Sequence, residues 1–254
     1  MRVKFYAPAA EQSMALRKLL RKRKKEQAVA AIERLDIDAD VVDGMDRGTR
    51  KILNLLNYTK KSGAAYDGSG FDVGYHSFQL GDHRFRGQRD PTMRFANVDY
   101  DFVGKSVLDI GCNQGGMIHE IGDVIAHGVG IDYDSRMINV ANRVRAYKGA
   151  TNTDFYVFNL EEERLEVILD LLPDQGVDIC FLLSVAMWIS NWRDVVRFCH
   201  AAAPDLLFET NGRAEQQAEQ IDFLESVYGT VALCSATSDD DPGQSKRQLL
   251  LCSR

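Results

Sequence analysis

The chain has 254 residues, of which 45% are hydrophobic and 27% charged. That length and balance exclude a disordered chain, a collagen-like repeat and a disulfide-stapled miniprotein, and they suit one large domain or a domain with an appendage. The net charge of −6 is uneven: residues 1–60 carry 14 Lys/Arg against 8 Asp/Glu, and the remaining 194 carry 17 against 29, a balance of −12.

No run approaches the ~18 consecutive apolar residues of a membrane span. The first 25 residues turn basic where a signal peptide would be cleaved, so a cytoplasmic protein is expected. Five scattered cysteines (Cys112, Cys180, Cys199, Cys234, Cys252) form no CxxC and no metal-ligand spacing. Reduced, mostly buried thiols and no metal site follow.

Residues 10–60 read as helical, rich in Ala, Leu, Lys and Arg and free of Pro, with a break over 36–46. Seven of the nine residues in 17–25 (RKLLRKRKK) are basic, with Leu16, Leu19 and Leu20 as an apolar stripe. Such a run is either a solvated helix face or a contact for a phosphate-bearing partner. Residues 61–75 hold four Gly and two Ser, a linker composition. Residues 76–98 predict a short hairpin and a helix after Pro91.

From residue 100 short apolar runs alternate with helical segments. Strands are predicted at 106–110, 128–132, 154–158, 177–184 and 206–210, each followed by a helix: 115–126, 135–147, about 161–172, 192–202 and 214–228. Two last strands, 230–236 and 247–252, have no helix between them and should pair antiparallel at an edge. Alternation of this kind implies βαβ units and a mostly parallel, helix-covered α/β sheet.

The informative segment is 107–116, VLDIGCNQGG, where a buried strand runs into a Gly-rich turn that opens a helix. Ligands bind beyond the carboxyl ends of such strands. The spacing Gly111-x-x-x-Gly115-Gly116 misses the dinucleotide fingerprint GxGxxG. Asp109, just before the turn, would repel a pyrophosphate and attract a cationic amino acid group. Asp132, at the tip of the next strand, suits the two hydroxyls of a ribose. S-adenosylmethionine carries an ammonium, a sulfonium and a ribose but no phosphate, so this charge pattern selects it over NAD.

Residues 100–254 resemble the class I S-adenosylmethionine-dependent methyltransferases. VLDIGCNQG follows that family's hhD/ExGxGxG pattern except that Asn113 stands for the middle Gly. The resemblance implies a Rossmann-like class I fold, with a seven-stranded, mostly parallel sheet, an antiparallel last strand and a helical N-terminal extension. It implies that Asp109, Gly111, Cys112, Asn113 and Gly115 surround the amino acid end of the cofactor. Asp132 and Tyr133 would lie at the ribose, Asn159 and Leu160 at the adenine, and Ser184 beside the site. The implied organisation is a helical extension over 1–60, a linker and lid or acceptor segment over 61–99, and an S-adenosylmethionine-binding domain over 100–254.

Methyl transfer asks mainly for alignment, and a general base only where the acceptor must lose a proton. His76 is the base candidate because it titrates near neutrality. Arg86 and Arg89 are candidate clamps for an acceptor phosphate or carboxylate, or else partners of Asp82 or Asp90. Met187 and Trp188 follow the fourth strand as an apolar wall, Glu209 ends the fifth, and Tyr75 stands beside His76. His83, His119, His127 and His200 read as surface or packing residues. Residues 75–91 also resemble the stretch before the core of tRNA wobble-uridine (carboxy)methyltransferases. Three functions follow: methylation of an oxygen or nitrogen on a small molecule, tRNA modification through the basic run, or a non-catalytic binding partner of methyltransferase fold. The acidic core argues against RNA.

Overall fold

The computed structural model describes residues 44–60, 75–174, 176–238 and 246–254. The basic run, the segment 10–43 and the linker 61–74 lie outside the described residues. By its contacts the chain divides into residues 1–45 and Asp46–Arg254.

Helix α1 (Arg47–Lys60) opens the second unit, followed by a hairpin, β1 (Phe78–Leu80) and β2 (His83–Phe85), and a one-turn helix α2 (Pro91–Phe95). Asp90 caps α2 through the Thr92 amide, and Pro91 presets its first helical residue. Then come β3 (Ser106–Ile110), α3 (Gly116–Ile121), β4 (His127–Asp132), α4 (Ser135–Lys148), β5 (Thr153–Val157), β6 (Ile179–Leu183), α5 (Trp192–Ala202), β7 (Asp205–Glu209), α6 (Ala214–Val227), β8 (Thr230–Ser235) and β9 (Leu249–Ser253).

The seven strands β3 to β9 form one sheet in the order β5-β4-β3-β6-β7-β9-β8, parallel except for β9, which runs antiparallel to both neighbours. The order reverses between β3 and β6, the place beyond whose carboxyl ends ligands of such sheets bind. Central strands covered on both faces read as unbroken apolar runs, and all five residues of β6 (ICFLL) are buried. Alternation assigns side chains to two cores. Leu108, Ile110, Cys180, Leu182, Leu206 and Phe208 point to one, and Val107, Ile179, Phe181, Leu183 and Leu207 to the other. Each fully buried side chain of this size stabilises by roughly 1.5–3 kcal/mol.

Helix α1 packs on α4, where Thr49 Oγ1 lies 2.8 Å from the Tyr147 hydroxyl. Two predicted helices differ from the observed structure. That over 115–126 ends at Ile121, before Gly122 and a turn that carries the chain into β4. That over 161–172 is a 3-10 helix, Leu165–Leu171. Pro173 disfavours helical backbone at the residue before it, and Leu172 is extended at φ −93°, ψ 146°. Four of the five cysteines are buried and all are free thiols. Among the described residues no helix is long and apolar enough to cross a membrane.

Candidate functional site

The site begins at the carboxyl end of β3. Parallel pairing puts Asp109 level with Gly130 of β4 and Phe181 of β6. Asp109 is 2% exposed and its Oδ2 has no hydrogen-bond partner among the described residues. Burial pushes its carboxyl up to about 7, with Arg94 pulling it down and Asp132 pushing it further up. A buried carboxylate oxygen left without a donor is costly unless a cation arrives.

The turn after β3 closes tightly. Gly111 has φ +79°, and a Cβ there would lie 2.5 Å from Val185 Cγ2. Asn113 takes φ 50°, a left-handed backbone that Asn tolerates better than most side chains. Its side-chain oxygen accepts from the Gln114 amide at 2.9 Å. Gly115 has φ +73° and lies against Phe155. Cys112 is buried beneath the turn, where burial pushes its thiol up.

Asp132 ends β4. Its Oδ2 accepts from the Asn113 amide at 2.9 Å and its Oδ1 from the Asp134 amide at 2.8 Å, so it is fixed and also tied to the turn. Each carboxylate oxygen has a second lone pair for a further donor. Burial raises its carboxyl, and the two amides oppose the shift. Tyr133 beside it is 74% exposed. Asn159, two residues past β5, donates its backbone amide to the Glu163 carboxylate (2.8 Å), and its side-chain oxygen accepts from the Glu161 amide. Leu160 packs against the first core.

The other half of the site is an ionic cluster on Glu209, at the end of β7. Glu209 is 3% exposed and pairs with Arg89 at 2.5 Å and with Arg94; Arg247 approaches to 3.7 Å. Ser184 Oγ donates to Oε1 at 2.6 Å and Ser238 Oγ at 3.1 Å. Burial by itself would raise the Glu209 carboxyl, but the Arg94 and Arg89 guanidiniums outweigh it and hold it near 2. Ser184 has φ 61°, a backbone that side chains other than Gly, Asn and Asp adopt rarely. Arg247 donates to its Oγ at 3.0 Å and Asn211 Nδ2 to its carbonyl at 2.5 Å. Met187 (40% exposed) and Trp188 (70% exposed) follow on a short 3-10 turn, Ala186–Trp188.

Three residues expected at an acceptor surface are instead buried. Arg89 is 1% exposed and clamps Glu209, so neither group presents a free face to an acceptor. His76 is 2% exposed; its Nδ1 accepts from the Gly116 amide at 3.3 Å, and burial, Arg94, Arg89 and His119 hold its pKa well below the usual imidazole value. Tyr75 is half-buried with its ring edge-on to His76, and Arg86 is exposed. It is Arg84 that pairs with Asp90, at 2.7 Å. His119 packs inside, 3.1 Å from the Ala141 carbonyl. The sequence reading missed Arg94, Arg247, Gln114 and Ser238. Their partners lie 115 residues away for Arg94 and 38 for Gln114, beyond any local pattern. Among the described residues no group of His, Cys, Asp and Glu is arranged to hold a metal.

Residues 108–205 match the family model of a methyltransferase domain. No curated protein matches the sequence. Among solved structures, the bifunctional kinase-methyltransferase WbdD is 17% identical with a TM-score of 0.54, over 70% of this chain and 43% of that one. The N-terminal domain of EvdMO1, solved with S-adenosylhomocysteine and D-fucose, is 12% identical with a TM-score of 0.53, over 70% of this chain and 89% of that one. This chain thus spans less than half of WbdD, and at these identities the likeness is one of fold. Residues 108–205 thus match a methyltransferase domain, and the seven-stranded sheet with its antiparallel β9 shares the fold of these solved structures.

Proposed function

We propose that the protein uses S-adenosylmethionine to methylate an oxygen or nitrogen of a small-molecule acceptor. The observation that carries the cofactor assignment is Asp109 Oδ2, a buried oxygen without a partner among the described residues, at the mouth of a parallel sheet. An ammonium fits it, a phosphate does not. Asp132 would take the ribose hydroxyls, with Tyr133 beside them, and Asn159 and Leu160 would flank the adenine. Gly111, Cys112, Asn113 and Gly115 shape the turn around the amino acid end, with Ser184 beside it.

Bound there, the cofactor supplies a methyl group already activated on a sulfonium. What the protein adds is alignment and exclusion of water. Asp109 fixes the amino acid end and Asp132 the ribose. Val185, in contact with the place a Gly111 side chain would fill, closes the β6 side of the turn. Met187 and Trp188 offer an apolar wall for the acceptor. Asn211, whose side-chain oxygen accepts from the Met187 amide at 3.0 Å, holds that wall to β7.

The test is transfer of labelled methyl from S-adenosylmethionine into a pool of small metabolites and, separately, into bulk tRNA at 50 and 200 mM salt. Label in the metabolite pool at both salts supports the reading. Label only in tRNA, falling steeply with salt, would replace the acceptor class.

A further inference from the structure

The segment from Tyr75 to Phe95 touches both halves of the site. At one end the His76 ring sits on Gly116, the first residue of α3, and the His76 amide donates to Gln114 Oε1 at 3.2 Å. At the other end Arg89 and Arg94 hold Glu209. The two ends are joined backbone to backbone. The Ser77 amide donates to the Arg89 carbonyl at 2.8 Å and the Arg89 amide to the Tyr75 carbonyl at 2.7 Å.

We propose that His76 is a positioning residue of the cofactor turn, its neutral Nδ1 holding the Gly116 amide and so fixing the shape of residues 111–116 from a segment anchored on Glu209. The proposal rests on the S-adenosylmethionine reading above. Two glycines make the contact possible. A Cβ on Gly116 would lie 2.4 Å from His76 Cγ and 2.7 Å from its Nδ1. A Cβ on Gly87 would lie 2.3 Å from the His76 carbonyl carbon. Neither position tolerates a side chain without moving the histidine.

The chemistry is as specific as the packing. Nδ1 accepts from an amide, which places the proton of the neutral ring on Nε2. An imidazolium has no acceptor and would set its own N–H against that of Gly116. Arg94 on α2, Arg89 bridged backbone to backbone with His76, and His119 on α3 act on the ring, and together with burial they disfavour its charged form. Tyr75 and Phe78 press on it edge-on, with ring centroids 4.6 and 6.4 Å away. A ring so held cannot also take a proton from an acceptor without releasing the turn.

The experiment is calorimetric titration with S-adenosylhomocysteine of the full chain and four variants: His76→Asn, His76→Gln, Gly116→Ala, and the last two combined. Asn puts its amide oxygen near the place of Nδ1; Gln puts its amide near that of Nε2. The expected result is that the Asn variant binds within about threefold of wild type, while Gln and Ala each weaken binding about tenfold. The combined variant should be no weaker than the worse single one, because both substitutions break one contact. An Asn variant as weak as Gln, a Gln variant as tight as wild type, or losses that multiply would each overturn the role. Wild type that binds no S-adenosylhomocysteine would instead overturn the cofactor reading, and this role with it. Independently of any variant, the nitrogen resonance of His76 Nδ1 should be that of an unprotonated acceptor at pH 7, and a protonated Nδ1 would contradict the proposal.

Discussion

Asp109 is the residue on which the charge argument turns. Burial raises its carboxyl to about 7, so at neutral pH it holds a proton far more readily than an ordinary carboxyl does. A bound ammonium favours the carboxylate, so cofactor binding should expel a proton. Calorimetric titration with S-adenosylhomocysteine at pH 7, repeated in buffers of different ionisation enthalpy, should therefore show net proton release. Asp109→Asn should abolish the release, and an unchanged release in that variant would locate the proton elsewhere. Asp109 was legible in the sequence because an acid directly before a Gly-rich turn is a local pattern. His76 stands out in the sequence as a residue, but its partner does not. Nothing within a few positions shows that its ring meets a backbone amide 40 residues on.

At the scale of elements, the cluster on Glu209 ties the segment over Arg89 and Arg94 to the ends of β6, β7 and the approach to β9. Glu209→Gln keeps the shape but removes the carboxylate that pairs with Arg89 and Arg94 inside the fold. Breaking one side of such a buried set typically costs about 3–5 kcal/mol. Urea unfolding of the variant should show a loss of that size; a loss below about 1 kcal/mol would mean that the cluster contributes no net stability. The strands themselves were legible. Apolar runs bounded by turn residues placed all seven strands of the sheet within two residues, and α5 over 192–202 agrees at both ends. The 3-10 segment was not, since Leu165, Ile168, Leu169 and Leu172 have the spacing of a helix and only Pro173 argues otherwise. Arg84 taking Asp90 was hidden too: Asp90 lies past the hairpin as the cap of α2, and which arginine reaches it depends on how the chain leaves β2.

For the whole molecule, the buried histidines set the response to acid. His76 is held well below 6.5 and His119 near 3, the latter by burial with Lys148 adding to it. A group with a depressed folded pKa that binds its proton more readily when unfolded stabilises the fold above the unfolded value, near 6.5, and that contribution is lost as pH falls. Each such histidine removes up to about 1.4 kcal/mol per pH unit below 6.5. Asp109 acts in the opposite sense, since its raised pKa adds stability at low pH that is lost as pH rises through about 7. His76→Asn, which cannot titrate, should lose less stability than wild type between pH 6.5 and 5 in urea unfolding, and equal losses would show that His76 is not buried and neutral.

The central claim is that this sheet binds S-adenosylmethionine through Asp109 and Asp132. Its most direct test is titration of the protein with S-adenosylmethionine, S-adenosylhomocysteine and NAD. Micromolar binding of the first two, none of NAD, and a loss of more than about 1 kcal/mol in Asp132→Ala are expected. Binding of NAD alone, or of none of the three, would contradict it.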